Sequence, residues 1–232
     1  MRTALALVAL AMLFASAANA RADAMFRGGP AHAGVAADRA PRTLTRVKWS
    51  FPTGDRIVSS PVVDAGVVYV GSDDGGIYAV DAATGALRWQ RRTGGPVAST
   101  PAIADGRLFA TSYDGKVYAL DVRTGAPLWK FATGGERRFE KQGLHGMLPK
   151  QQTIADPFDV FLSSPVVVDG TVVVGSGDGN VYALDAVTGE ARWTFRTGDV
   201  VHASPAIADG IVVVGSFDGD IYAIDARTGV QR

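Results

Sequence analysis

The phrase Ala-x-Asp-x-x-Thr-Gly-x-x-x-Trp falls at Ala79, Asp81, Thr84, Gly85 and Trp89, at Ala119, Asp121, Thr124, Gly125 and Trp129, and at Ala183, Asp185, Thr188, Gly189 and Trp193. A fourth copy, Ala223, Asp225, Thr228 and Gly229, lacks the Trp. Pro61, Pro101, Pro165 and Pro205 keep the same beat, at intervals of 40, 64 and 40 residues. A period of this size signals a modular array, because each unit exposes an apolar face that only a neighbouring unit covers.

The content of the unit selects the array. The third copy reads Ser164-Pro165-Val166-Val167-Val168, Thr171-Val172-Val173-Val174-Gly175-Ser176, Val181-Tyr182-Ala183-Leu184-Asp185 and Ala191-Arg192-Trp193-Thr194-Phe195. Four short runs rich in β-branched and aromatic residues, each bounded by Gly or Asp, predict strands. Asp-Gly pairs at 74–75, 114–115, 178–179 and 218–219 suit tight hairpins. Four strands in forty residues make one blade, so the fold class is an all-β propeller of four-stranded blades over residues 46–232.

Trp49 lies forty residues before Trp89, so residues 46–52 form an outer strand ahead of the first full blade, while the fourth copy supplies three strands. Two arrangements follow. The early strand completes the fourth blade and closes a ring of four, or, as favoured, the chain is part of a larger seven- or eight-blade propeller.

Residues 1–20 read as a signal peptide. Arg2 precedes an apolar run from Ala4 to Phe14, and Ala18-Asn19-Ala20 supplies the small residues of a cleavage site. Residues 21–45 form an N-terminal extension, and no membrane span is expected after cleavage. These features predict a secreted chain, bound for a bacterial periplasm. The absence of cysteine excludes disulfides, thiolate catalysis and thiolate metal sites. With 23 basic and 23 acidic residues and no long run of either sign, no nucleic-acid footprint is present.

The repeated phrase resembles the tryptophan docking motif of the pyrroloquinoline quinone (PQQ) repeat family, the quinoprotein-like β-propellers. Phe26-Arg27-Gly28-Gly29-Pro30-Ala31-His32 is similar to the segment that precedes the first blade there. The resemblance implies that Trp49, Trp89, Trp129 and Trp193 dock neighbouring blades, and that the Asp and Thr-Gly form the turn before the outer strand. It also makes PQQ and calcium possible cofactors. Bottom-up chemistry agrees on the structural roles: an indole buries a large area while its N–H needs a partner, and an Asp bonds its own turn.

The departure from the repeat is a 24-residue insertion between Trp129 and Pro165, an inserted loop at about 135–160. It joins an outer strand to the next inner strand, so it is expected to overhang one face near the central channel. Apolar residues run through it, which argues for a packed loop and against a disordered linker. Arg137, Arg138, Phe139, His145, Met147, Phe158 and Phe161 are its candidate interaction residues. His145 could act as a base oriented by Asp156 or Asp159, but it lacks a second His at ligand spacing and a nucleophile, so no catalytic residue is assigned. His202 stands beside an inner-strand start and is not assigned as a ligand.

Two functions compete at this stage. One is a non-catalytic binding or assembly scaffold with a protein partner on the loop, similar in architecture to the propeller component of outer-membrane protein assembly machinery. That component carries lipid on a cysteine, which this chain lacks. The other, implied by the resemblance alone, is a PQQ- and calcium-dependent dehydrogenase of alcohols or sugars, or a fragment of one. The sequence does not name a ligand.

Overall fold

The computed structural model describes residues 24–33, 46–142, 153–155 and 159–232. Blade one is β1 (Val62–Asp64), β2 (Val67–Gly71), β3 (Gly76–Asp81) and β4 (Leu87–Arg92). Blade two is β5 (Ala102–Ala104), β6 (Arg107–Ser112), β7 (Lys116–Asp121) and β8 (Pro127–Ala132). The insertion contributes a small hairpin, β9 (Glu140–Gln142) and β10 (Thr153–Ala155). Blade three is β11 (Val166–Val168), β12 (Thr171–Gly175), β13 (Asn180–Asp185) and β14 (Ala191–Arg196). Blade four holds β15 (Ala206–Ala208), β16 (Ile211–Gly215) and β17 (Ile221–Asp225). Each blade is an antiparallel meander in sequence order. No helix among the described residues is long and apolar enough to cross a membrane.

The middle strands of the first three blades are largely buried, whereas β16 and β17 of blade four are partly exposed. In β3 the five residues Gly76 to Val80 are buried, and β12 is buried throughout. The outer strands β4 and β8 alternate, with Trp89, Arg91, Trp129 and Phe131 half-buried and their neighbours exposed. One face of that period-two pattern meets the next blade and the other meets water.

The inner strands start in register through hydroxyl groups. The Ser60 N–H donates to Thr100 Oγ1, the Thr100 N–H to Ser164 Oγ and the Ser164 N–H to Ser204 Oγ, each at 3.0 Å. Each of these hydroxyls precedes one of the periodic prolines, so the repeat places one inter-blade bond at every step around the axis.

Residues 24–33 lie along the inner strands. Ala24 bridges Ile103 and accepts its N–H at 2.7 Å, and the Pro30 carbonyl accepts the Ile207 N–H at 2.7 Å. The segment therefore joins the inner strands of blades two and four, with Met25 buried in the core beside Ala102, Phe109 and Val166.

Both hairpins of the blade use left-handed backbone, with a division of labour that differs from expectation. Ala65-Gly66, Asp105-Gly106, Asp169-Gly170 and Asp209-Gly210 have positive φ at both positions and close the first hairpin of each blade. At Asp74-Gly75 and its equivalents only the glycine is left-handed, within a longer loop closed by the Ser72 and Gly76 backbone. The aspartate Oδ1 still serves this turn, accepting the Gly76 N–H at 2.7 Å in Asp74, and its Oδ2 has another task. Asp74 Oδ2 accepts the Gly54 N–H at 2.7 Å and the Tyr78 hydroxyl at 2.5 Å. Asp114, Asp178 and Asp218 do the same with Gly94 and Tyr118, Gly134 and Tyr182, and Gly198 and Tyr222. Each aspartate thus ties the outer-strand exit of one unit to the hairpin of the next. Burial raises the Asp114 carboxyl's pKa, but its bonds from Tyr118, Gly94 and Lys116 hold it below the usual range.

Each indole lies over the turn of the following blade. Nε1 of Trp49, Trp89, Trp129 and Trp193 donates to the carbonyls of Ala82, Val122, Ala186 and Ala226 at 2.9 to 3.2 Å. The glycine of each Thr-Gly pair sits beneath that ring. Gly125 has φ +68°, and a Cβ there would lie 2.6 Å from Trp89. Gly125→Ala is therefore expected to destabilise by about 2 kcal/mol, through left-handed strain and displacement of the indole, read as a lower urea midpoint. An unchanged midpoint would show that the ring yields freely.

The four-blade closure is not what the structure shows. Residues 47–52 form no ladder with β17; they run extended with Trp49 docked on blade one. Blade four instead begins its fourth strand with Gln231, which bridges Ile224, and Arg232, whose N–H donates to the Ala223 carbonyl.

Candidate functional site

The inserted loop returns over the hairpins of blades two, three and four, and a buried ion cluster fixes it there. His202, in the connector from β14 to β15, lies between two carboxylates. Its Nδ1 is 2.7 Å from Asp159 Oδ1 and its Nε2 is 3.3 Å from Glu136 Oε2, and all three side chains are at most 4% exposed. Each carboxylate is held further. Glu136 accepts the Ser176 hydroxyl at 3.1 Å and the Gly177 N–H at 2.8 Å, and Asp159 accepts the Phe139 N–H at 2.7 Å. Glu136 lies at the start of the insertion and Asp159 near its end, so one imidazole clamps both legs of the loop.

Aromatic rings surround the clamp. Phe139 stacks on Phe217 with centroids 4.6 Å apart, while Tyr113 and Phe217 meet His202 edge-on at 6.4 and 6.0 Å. The Tyr113 hydroxyl donates to the Phe161 carbonyl at 3.1 Å, and burial raises its pKa, with the Asp159 charge adding to the effect. Burial alone would lower the His202 pKa, but hydrogen bonds to Asp159 and Glu136, together with their charges, raise it to about 9. The ring is therefore an imidazolium at neutral pH.

Of the residues singled out by sequence, Phe139 is packed in this cluster, and Arg137 pairs with Asp199 at 2.5 Å. Arg138 is exposed, and Phe161 is 59% exposed. His145, Met147 and Phe158 lie outside the described residues. Asp159, considered as an orienter for His145, is bonded to His202 instead. Glu136 and His202 were not assigned to the site by sequence. The available signal was a titratable residue at 202, where the other copies carry Val58, Ala98 and Leu162.

The profile of the family described as outer membrane protein assembly factor BamB matches residues 33–157 and 150–232. The chain belongs to that family. It is similar to the crystal structure of BamB from Moraxella catarrhalis, with 25% identity and a TM-score of 0.60 over 76% of this chain and 49% of that one. A europium-containing methanol dehydrogenase shares 21% identity, with a TM-score of 0.59 over 81% of this chain and 43% of that one. The quinohemoprotein alcohol dehydrogenase from Comamonas testosteroni shares 20% identity, with a TM-score of 0.62 over 81% of this chain and 36% of that one. This chain thus spans about half the length of the BamB structure and less of either dehydrogenase. At these identities the dehydrogenases establish the PQQ-repeat propeller fold alone. No curated protein sequence matches significantly.

Among the described residues the donor chemistry does not fit calcium-bound PQQ. Calcium takes six to eight oxygens, and the quinone's carboxylates need free cations around them. The hairpin aspartates are committed to tyrosines and glycines, and Glu136 and Asp159 flank His202 on opposite sides. Among the described residues no three acidic or histidine side chains converge on a cation position.

Proposed function

We propose that this chain is a secreted, periplasmic β-propeller that serves as a non-catalytic binding or assembly scaffold, with the 135–160 loop as its protein-partner surface. Residues 1–20 act as the leader. The observation that carries the reading is the buried Glu136–His202–Asp159 clamp, which fixes the loop on the propeller face while Arg138 and Phe161 stay exposed beside it. Legs anchored in this way pay little ordering cost on binding, and exposed aromatic and arginine side chains are enriched at interfaces. Membership of the assembly-factor family supports a partner among proteins of the outer-membrane assembly process.

A photo-crosslinking residue at position 161, introduced in the native bacterium, is expected to capture a component of outer-membrane protein assembly. Arg138→Glu is expected to cut that capture at least tenfold, without changing the melting temperature. Capture that is absent, or unaffected by Arg138→Glu, would overturn the assignment of this surface.

A further inference from the structure

A groove of about 430 Å³ opens at the seam of blades one and two, between two complete four-stranded sheets. Val67, Tyr69 and Trp89 supply apolar and aromatic lining, and Arg88, Asp121 and Arg123 supply polar lining. A cleft of this size, apolar with a few polar groups, is the common form of a small-molecule site.

The repeat is broken at this seam. Arg88 donates to Asp81 Oδ2 at 2.7 Å, Arg192 to Asp185 Oδ2 at 2.8 Å and Arg232 to Asp225 Oδ2 at 2.6 Å, so three of the four turn aspartates carry their own arginine. Blade two has Leu128 in that place. Asp121 Oδ1 still closes the turn, accepting the N–H groups of Arg123 and Thr124 and the Thr124 hydroxyl at 2.7 to 3.1 Å, but no described residue bonds Oδ2. Arg123 is exposed, and its guanidinium has no partner among the described residues. Hydrogen bonds from Thr124 lower the Asp121 pKa and the Arg123 charge adds to the effect, so the two groups lie near one another without being joined. An acceptor and a donor are left unspent side by side. The seam of blades three and four has a cleft of about 440 Å³, but there Asp225 Oδ2 is taken by Arg232. At the seam of blades two and three the place of Arg123 is held by Val187. Departures of this kind from a rule that the other copies obey are expected where a fold carries function.

We propose that the groove between blades one and two binds a neutral saccharide. Its charged lining consists of Asp64, Arg88, Asp121 and Arg123, two of each sign, so it calls for no net charge on the ligand. A sugar hydroxyl both donates and accepts. One hydroxyl gives its proton to Asp121 Oδ2 while its neighbour accepts from the Arg123 guanidinium, and both bonds are strengthened by the charge on the protein group. The C–H face of the ring then covers Val67, Tyr69 and Trp89, which removes apolar surface from water on both sides. No described residue of the inserted loop lines the groove, so the site is separate from the partner surface.

Saturation-transfer difference NMR on the full chain tests the site, with maltose, cellobiose and lactose as probes at millimolar concentration. At least one is expected to give a saturable signal. Asp121→Asn keeps the oxygen that closes the turn and removes the free carboxylate oxygen, while Arg123→Val matches Val187 of the next seam. Both variants are expected to keep the melting temperature of the parent and to weaken binding about tenfold. Phenylalanine, a zwitterion, serves as a fourth probe. The proposal is overturned by the lack of a saturable signal from all three sugars, or by a signal that either variant leaves unchanged. Binding of phenylalanine alone would also overturn it, by assigning the two free charges to an amino acid.

Discussion

Trp129→Ala is expected to lower stability by about 3 to 5 kcal/mol, the range for deleting a large aromatic from a packed site. Trp129 sits at the seam of blades two and three. Its ring faces Phe109 at 5.8 Å and covers Gly189, where a Cβ would lie 2.6 Å away, and its Nε1 donates to the Ala186 carbonyl. Truncation removes the apolar contacts, opens a void between two sheets that cannot move together, and strands a carbonyl. For a chain of this size the loss corresponds to a fall in melting temperature of roughly 10 °C. Differential scanning calorimetry reads it directly. An unchanged transition would mean that the indoles decorate the seam without holding it.

His202→Leu has an effect of similar size by a different route. The apolar side chain fits a position that is Leu162 in the preceding copy, but it leaves Glu136 and Asp159 buried without a cation between them. Breaking a buried ion cluster by removing one partner costs about 3 to 5 kcal/mol. The pH dependence separates this cost from lost packing. The folded-state pKa of His202 is raised to about 9 from an ordinary 6.5, so the folded chain keeps a proton that the unfolded chain releases. The stability this confers, up to about 3 kcal/mol, is fully present below pH 6.5 and is lost as the pH rises through 9. Urea midpoints of parent and variant are therefore expected to differ most at pH 6 and to draw together toward pH 10. A gap that stays constant across that range would mean the ring acts through shape and not through charge.

The blades were legible in the sequence because each copy repeats its strands, turns and indole at one interval, so the signal reinforced itself four times. What the repeat could not show was the second use of its own residues. Asp74 reads as a turn former, and its Oδ1 does bond the turn at Gly76, yet its Oδ2 also reaches Gly54, twenty residues earlier in the preceding unit. The clamp was hidden for a different reason. Glu136 and Asp159 lie in the segment that breaks the period, and their partner lies one blade further on. No local spacing connects them, and only the path of the insertion across the hairpins brings the three together. The candidate interaction residues divide along the same line: those near the legs of the loop have defined surroundings, and His145, Met147 and Phe158 fall outside the described residues.

The strap formed by residues 24–33 changes how such an array behaves as a thermodynamic system. Stacked repeats coupled only to their neighbours fray from the ends, and their energetics approach those of a linear Ising chain. By bonding Ile103 in one blade and Ile207 two blades away, the strap adds a coupling term that skips a unit, so the two flanking blades gain from each other's folding. Cooperativity here is a property of ten residues that belong to no blade.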